Sequence, residues 1–358
     1  MKQILLIPLI AILSFTSHEG HSQSEIDNVS NLESYLNSQK FSGAVLTIDS
    51  QGKELRAAAG FSDFDNTQAI DLNAKFKIAS ITKLFTTVMV MQLIDEGKLT
   101  LDTKVGDVLT NSEITNANKI SIKHLLQHTS GLRKESRTSF LSSFSADEMI
   151  GKFASKKASF QPGKDIRYNN IDFIVAGKII EVLTGKSFTE NLNQRILDPV
   201  GLKNTGLLTS NDLPTDVTSS FQIQKGTKKE EFKIHIENFG AAGSMYSTIQ
   251  DLVSFTKALK SELLLSDSAK ASLFNSNPKL GYVALGCWTF NSPFIANSPK
   301  ILERRGGILG STSVIMTSLD GPETLIVLSN TDGFNPDTFG QADNMKEYLF
   351  KQLFTANH

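Results

Sequence analysis

The stretch IASITKLFTTVMVMQLIDEG, residues 78–97, carries the pattern on which both the fold and the chemistry depend. Residues 80–96 are apolar and contain neither glycine nor proline, so they predict a buried helix that ends at Gly97. Ser80 and Lys83 stand three residues apart at the start of this helix, which places both side chains on one face. The segment therefore predicts a hydroxyl beside an amine.

This Ser-x-x-Lys pair is typical of a serine that a neighbouring lysine activates as a nucleophile. Serine is weakly nucleophilic until a base accepts its proton, and Lys83 can be that base if burial or nearby cations lower its pKa. The alternative interpretation of Ser80 alone is a helix cap. The motif by itself is not specific, because it recurs in a hairpin turn, inside an ordinary helix and beside a proline: Ser50 with Lys53, Ser254 with Lys257, and Ser276 with Lys279.

The rest of the chain has strand patterns near both ends and helical patterns between them. The strand patterns cover residues 43–49, 54–60, 283–290, 312–317 and 323–328. The helical patterns cover residues 24–40, 80–96, 122–128, 170–184, 249–264 and 339–354, and the polar stretch 205–237 is predicted to be a surface excursion. The simplest packing joins the terminal strands into one antiparallel sheet flanked by the first and last helices, with a mainly helical region beside it. This is an α+β fold, a mixed α/β sandwich.

The N-terminus resembles a targeting segment. One lysine precedes an apolar run from Ile4 to Phe15, which is shorter than the roughly 20 residues that span a bilayer. Residues 1–22 are therefore predicted to be a secretory signal peptide, which implies a secreted or periplasmic protein; an uncleaved anchor is the alternative. No later segment has the apolar length of a membrane span.

The bulk composition limits the domain count and the partners. The 358 residues suffice for one large domain or two smaller ones, and the net charge of -1 provides no basic field for nucleic acid. We expect a small-molecule or peptide substrate instead. We also expect one domain over residues 23–355, with an α/β part at 23–80 and 240–355 and a mainly helical part at 81–239.

A second motif, Tyr168-Asn169-Asn170, lies just before the helix predicted at 170–184. A phenol can relay a proton, and an asparagine amide can bind a substrate amide and orient the lysine. The alternative interpretation of Tyr168 is a turn residue whose hydroxyl is satisfied locally. Another Tyr-x-Asn begins at Tyr35, where a helical pattern leaves no loop to present it.

A third motif, Arg304-Arg305-Gly306-Gly307, stands just before a predicted strand. Paired glycines allow a substrate backbone to approach a strand edge closely. An unpaired N–H of Gly307 can join the N–H of Ser80 as an oxyanion hole, in which one donor contributes roughly 3 kcal/mol. A simple loop between strands is the alternative interpretation.

The order Ser-x-x-Lys, Tyr-x-Asn, basic-x-Gly resembles that of the serine β-lactamases and penicillin-binding proteins. The tyrosine form of the second motif is similar to the class C β-lactamase branch, with its D,D-peptidase and esterase relatives. Phrases that resemble the same branch extend over roughly residues 41–330: FKIASITKLFT, MQLIDEGKLTLDTKV, HLLQHTSGL, QPGKDIRYNN, LDPVGLKNTGL and GAAGSMYSTIQDLVSF.

The resemblance implies the β-lactamase/D,D-peptidase fold and an acyl-serine mechanism. Ser80 would attack a carbonyl, Lys83 and Tyr168 would transfer protons, and Asn170 would contact the acyl amide. The N–H groups of Ser80 and Gly307 would bind the oxyanion, and water would release the acyl group. The expected substrates are D-amino-acid peptides of cell-wall type or small esters. Class C-type β-lactamase activity and a catalytically silent protein that binds cell-wall peptides or β-lactams are the alternatives.

The third motif departs from the Lys-Thr-Gly or His-x-Gly that the family usually has. Arg304 keeps the positive charge and can hold a carboxylate with two hydrogen bonds, but it cannot donate its proton at ordinary pH. We therefore assign Arg304 and Gly306 to substrate binding, and efficient antibiotic hydrolysis is not inferred.

Other constellations do not predict a site. His124 and His128 have the i, i+4 spacing of a zinc helix but lack the glutamate of His-Glu-x-x-His, so a structural role is favoured. Cys287 lies in an apolar stretch and is expected to be a buried, inert thiol. The sequence has no Gly-x-Ser-x-Gly elbow, which disfavours an α/β-hydrolase. No metal or cofactor is expected.

Overall fold

A computed structural model of the chain describes residues 26–209, 214–293, 295, 297–338, 341 and 344–355. The strands in these ranges are β1 (Gly43–Ile48), β2 (Glu54–Ala59), β3 (Phe76–Lys77), β4 (Gly206–Leu207), β5 (Phe221–Gln224), β6 (Thr227–Glu230), β7 (Met245–Ser247), β8 (Trp288–Asn291), β9 (Lys300–Ile308), β10 (Ser311–Ser318) and β11 (Thr324–Ser329). The helices are α1 (Val29–Ser38), α2 (Thr82–Asp95), α3 (Val105–Val108), α4 (Ile122–Leu126), α5 (Ala146–Met149), α6 (Ile171–Thr184), α7 (Phe188–Leu192), α8 (Asp198–Val200), α9 (Ile249–Lys260), α10 (Asp267–Leu273) and α11 (Met345–Thr355).

The main sheet has the strand order β2-β1-β11-β10-β9-β8. All neighbouring pairs are antiparallel, and β1 pairs with β11 from Gly43 opposite Ser329 to Ile48 opposite Thr324. The predicted α+β class, with an antiparallel sheet built from both ends of the chain, is therefore confirmed.

The central strands β1 and β11 are buried on both faces. One face packs with α1 and α11 in a core that includes Leu32, Val45, Val327 and Leu349. The other face joins the larger core beneath the helical region. Burial on both sides explains why these strands have continuous apolar sequences, since alternation is expected only where one face is solvated.

Helix α2 is enclosed by the helical region and the sheet. Eleven of its fourteen residues are buried, and Phe85 stacks on Phe255 of α9 with ring centroids 3.8 Å apart. A helix that is apolar all round is stable only when it is surrounded by protein. The burial of α2 brings the amine of Lys83 into the interior.

One expectation about local structure was wrong, and two were incomplete. The run predicted as a strand at 283–290 forms strand only from Trp288, because Gly286 turns the chain in the left-handed region (φ 69°) and Ala284 bonds back to Cys287. The stretch 205–237 contains β4 and the β5–β6 hairpin besides surface loops. The Arg304–Gly307 motif precedes a strand, β10, as expected, but it also lies inside a strand itself, β9.

The predicted signal peptide at 1–22 lies outside the described residues, and the domain limits 23–355 stay a prediction. Within the described ranges, every helix is too short or too polar to cross a bilayer.

Candidate active site

Ser80 lies in a short 3-10 turn, Ala79–Ile81, between β3 and α2. The preceding residue, Ala79, has a positive φ of 46°, which non-glycine residues rarely adopt. Contacts from the sheet fix this turn: Ser313 Oγ donates to the Ile78 carbonyl at 3.1 Å, and Arg304 Nε donates to the Ser80 carbonyl at 2.7 Å. The hydroxyl of Ser80 is thereby presented by a backbone that is tied to β9 and β10.

Lys83 is completely buried, and its Nζ contacts three oxygen atoms. These are Ser80 Oγ at 3.1 Å, Asn170 Oδ1 at 2.7 Å and the Ala242 carbonyl at 2.7 Å. Burial lowers the pKa of Lys83 to about 8, and the positive charge of Arg304 also lowers it, whereas Tyr168 opposes the shift. A neutral amine fits this site well, because it donates to the amide and carbonyl oxygens and aims its lone pair at the Ser80 hydroxyl.

Tyr168 approaches the same hydroxyl from the loop before α6. Its phenol donates to Ser80 Oγ at 2.6 Å, and its ring centroid is 4.9 Å from Lys83 Nζ. Burial of the hydroxyl raises the pKa of Tyr168, but the positive charges of Lys83 and Arg304 outweigh this and lower it to about 8. The residue as a whole is 36% exposed, so part of Tyr168 lies at the protein surface beside Ser80.

Arg304 projects from β9 into the interior and is only 1% exposed. Besides the Ser80 carbonyl, it contacts the phenol of Tyr168, to which Nη2 donates at 3.0 Å. The guanidinium carbon also lies 5.4 Å from the Trp288 ring centroid. The alternation of side chains along a strand explains this placement, because Arg305 points to the opposite face and pairs there with Glu303 and Asp337.

The two glycines of β9 differ in their surroundings. A Cβ at Gly306 would collide with the Ile78 carbonyl and with Ser313 Oγ, so this position needs a glycine to pass the turn that carries Ser80. A Cβ at Gly307 would meet nothing within 4 Å. The strand β8 pairs with β9 only from Lys300 to Glu303, so among the described strands the outer edge of β9 has no partner beyond that point.

Glu135, which the sequence analysis missed, completes the network around Asn170. It is 7% exposed, and its Oε1 accepts from Asn170 Nδ2 at 2.7 Å while Oε2 accepts from the Asn170 main-chain N–H at 3.2 Å. The residue lies in the loop after α4 and belongs to none of the three motifs. Only the tertiary structure brings it beside Asn170, 35 residues further along the chain.

His124, His128 and Cys287, to which the sequence analysis assigned no catalytic role, lie in the following surroundings. His124 Nδ1 accepts from the Ser121 N–H at 3.1 Å, and His128 is buried with its ring 4.4 Å from that of Tyr168. Burial raises the pKa of the Cys287 thiol to about 12. Over the described ranges, no group of three or more His, Cys, Asp or Glu side chains is arranged to hold a metal ion.

The structure thus brings Ser80, Lys83, Tyr168, Asn170 and Arg304 into one hydrogen-bonded network beside the outer edge of β9. This fold and site define a class of enzyme, the serine hydrolases. The chain belongs to the Beta-lactamase family, whose model matches residues 29–350.

Relatives and solved structures agree with this membership. Penicillin-binding protein 4 of Amycolatopsis lactamdurans is 28% identical over 69% of this chain and 68% of that protein. The teichoic acid D-alanine hydrolase of Staphylococcus aureus is 24% identical over 62% of this chain and 55% of that protein. The D-stereospecific amidohydrolase of Streptomyces sp. has a similar fold, with a TM-score of 0.72, 24% identity, and coverage of 84% of this chain and 93% of that one.

Proposed function

We propose that this enzyme hydrolyses esters or amides of D-amino acids through an acyl intermediate on Ser80. The observation that carries the proposal is the double contact to one hydroxyl, from Lys83 Nζ at 3.1 Å and from Tyr168 OH at 2.6 Å. Two groups whose pKa values are both lowered to about 8 can exchange a proton with the serine and with a leaving group near neutral pH.

The proton path follows from the contacts. As Ser80 Oγ bonds to the substrate carbonyl carbon, its proton passes to the Lys83–Tyr168 pair, and the carbonyl oxygen becomes an oxyanion. When the tetrahedral adduct collapses, the bond to the leaving amine or alcohol breaks, and that group takes the proton from the pair. Water then repeats both steps on the acyl-serine, which releases the acid and restores the Ser80 hydroxyl.

Substrate binding is proposed along the outer edge of β9. An extended substrate can pair with a free strand edge, and the position of Gly307 leaves space for its backbone. The N–H groups of Ser80 and Gly307 are the proposed oxyanion donors, Gly306 and Arg304 hold the strand against the nucleophile turn, and Asn170 is the proposed contact for the acyl amide.

The substrate class is inferred from a relative and from the site. The teichoic acid D-alanine hydrolase is named for the hydrolysis of D-alanine on teichoic acid, and the chain shares 24% identity with it. We propose that the enzyme is exported after removal of residues 1–22, so that such substrates would be met outside the cytoplasm.

A labelling experiment tests the nucleophile. A fluorophosphonate should add one adduct at Ser80, and Ser80→Ala should abolish it. Ser254→Ala is the matched control, because Ser254 also begins a Ser-x-x-Lys pair on a helix, α9, and should leave labelling unchanged. A folded wild-type protein that remains unlabelled would contradict the acyl-serine mechanism.

Turnover of four substrates tests the class: a D-amino-acid amide, a D-Ala-D-Ala peptide, a short-chain p-nitrophenyl ester and nitrocefin. We expect hydrolysis of the D-amino-acid amide or of the ester. The L-enantiomer of the amide should be hydrolysed more slowly than the D-enantiomer. Preferential hydrolysis of nitrocefin would favour class C-type β-lactamase activity. Binding of cell-wall peptides without turnover would favour a catalytically silent binding protein.

A further inference from the structure

The orientation of the Asn170 side-chain amide is fixed from outside the three motifs. Its Nδ2 donates to Glu135 Oε1 at 2.7 Å, and its Oδ1 accepts from Lys83 Nζ at 2.7 Å. The second oxygen of Glu135 accepts from the main-chain N–H of the same asparagine at 3.2 Å. One carboxylate therefore holds both the backbone and the side chain of Asn170.

Only one orientation of the amide is compatible with these neighbours. A carboxylate offers acceptors alone, so the end of the amide that faces Glu135 has to be the donating Nδ2. The reversed amide would place Oδ1 against the carboxylate, where two acceptors repel each other. It would also direct Nδ2 at Lys83.

The orientation decides whether Lys83 can act as a base. With Asn170 Oδ1 and the Ala242 carbonyl as acceptors, a neutral amine donates both of its hydrogens to them. Its lone pair then remains for the Ser80 hydroxyl at 3.1 Å. A reversed Asn170 would donate to that lone pair and occupy it, so the serine would lose its base.

We propose that Glu135 is a positioning residue that holds the Asn170 amide in the orientation in which Lys83 keeps its lone pair for Ser80. The inference rests on the proposed acyl-serine function and assigns a role to a residue that the three motifs do not contain. In this role Glu135 acts through Asn170, and no covalent bond is made or broken at its carboxylate.

A pH readout separates this role from a purely structural one. The charged or titratable groups around Lys83 are Tyr168, Arg304 and Glu135, with the buried His128 and Asp172 behind Tyr168. Burial is the main cause that lowers the pKa of Lys83, and the charge of Glu135 opposes it. Removing that charge should lower the pKa further, so the acidic limb of the acylation rate should move to lower pH.

The decisive experiment exchanges donor and acceptor between the two residues. Glu135→Gln places an amide against an amide, and Asn170→Asp places two carboxylates together, so each should slow labelling by a small fluorophosphonate by about tenfold or more. The double variant Glu135→Gln/Asn170→Asp restores the pairing: the glutamine amide donates to one aspartate oxygen, and the other oxygen accepts from Lys83. It should label at least about fivefold faster than the slower single variant.

A control and a second readout make the outcome clear. Glu113→Gln removes the same charge from an exposed glutamate outside the network and should label like the wild type. The 13Cε resonance of Lys83, assigned by its loss in Lys83→Met, should titrate at lower pH in Glu135→Gln than in Glu113→Gln. Additive losses in the double variant, or identical Lys83 titrations in those two glutamine variants, would each overturn the inference. A wild-type protein that does not label would contradict the proposed function alone, because the titration needs no turnover.

Discussion

Arg304 Nη2 donates a hydrogen bond to the phenolic oxygen of Tyr168 at 3.0 Å. Arginine stays protonated at every ordinary pH, so the phenol has a permanent positive neighbour. Burial alone would raise the pKa of Tyr168, and the charges of Lys83 and Arg304 reverse the direction, to about 8. Arg304 thus supplies positive charge to Tyr168 and Lys83, the proposed proton-transfer pair.

Loss of the Arg304 charge should therefore shift the pH dependence of acylation. Arg304 lowers the pKa of both Tyr168 and Lys83, so Arg304→Gln should raise both and move the acidic limb to higher pH. A shift of one pH unit corresponds to about tenfold slower labelling at neutral pH. Arg304→Lys keeps a positive charge, and acylation should survive in it. The measurement is the rate of fluorophosphonate labelling between pH 5 and 10.

Arg305→Gln is the matched control for this experiment. It removes the same charge from the neighbouring residue, whose side chain lies on the other face of β9 with Glu303 and Asp337. Its acidic limb should stay in place, with folding checked by a thermal melt. Equal shifts in the two glutamine variants would mean that Arg304 acts only through the general charge of the region.

The sequence predicted helices and strands correctly where the local pattern of apolar residues matched the burial seen in the structure. The helix at 171–184 starts and stops next to the predicted residues, and Gly185 ends it with a φ of 68°. The strand that carries Arg304 was missed because the glycine pair in RRGG indicates a turn by local rules. In the structure, close approach of the Ile78 segment explains the glycine at 306 instead.

The motifs predicted which residues lie together, whereas the roles of these residues stay predictions. The contacts among Ser80, Lys83 and Tyr168 agree with the expectation from spacing and resemblance. Two relationships could not be predicted. The contact of Arg304 with Tyr168 depends on the strand face, and that of Glu135 with Asn170 depends on how the loop after α4 packs on α6. Both arise from tertiary packing between segments far apart in the chain.

Acylation should require a lysine that can lose its proton. Lys83→Met removes the base, and Lys83→Arg keeps a charge that does not titrate, so both should slow labelling of Ser80 by about a thousandfold. Lys83→Met should remain folded, because a thioether side chain of similar size fills the same space, but its melting temperature should fall, because Asn170 Oδ1 and the Ala242 carbonyl lose their donor. Labelling rates and thermal melts check both statements. An arginine variant with more than a tenth of the wild-type rate would exclude Lys83 as the base.

The wild-type enzyme should acylate faster as the pH rises towards 8. Lys83 and Tyr168 both have a pKa lowered to about 8, and they titrate as a coupled pair that has to lose one proton to become active. Below this midpoint the rate should fall about tenfold per pH unit, and by about a hundredfold at pH 6. The rate of pre-steady-state labelling across this pH range measures the acidic limb of the pH–rate profile. A flat profile from pH 6 to 9 would be incompatible with this pair as the base.

Cys287 should be unreactive while the protein is folded. Burial raises the pKa of its thiol to about 12, so almost no thiolate is present at pH 8. A thiol-directed reagent should therefore modify less than about a tenth of the protein in native buffer and all of it in denaturant. Hydrolysis should be unchanged after the native treatment. Rapid modification with loss of activity would indicate a role for this cysteine in the reaction.

The two adjacent glycines of β9 should respond in opposite ways to alanine. A Cβ at Gly306 collides with the Ile78 carbonyl and Ser313 Oγ, so Gly306→Ala should lower the free energy of unfolding by about 1–3 kcal/mol and slow labelling of Ser80. Gly307→Ala meets open space and should fold like the wild type. Its methyl group would enter the proposed substrate edge, so labelling by a small fluorophosphonate should persist while kcat/KM for the D-amino-acid substrate falls. If Gly307→Ala left hydrolysis of that substrate unchanged, the substrate would have to bind away from this edge of β9.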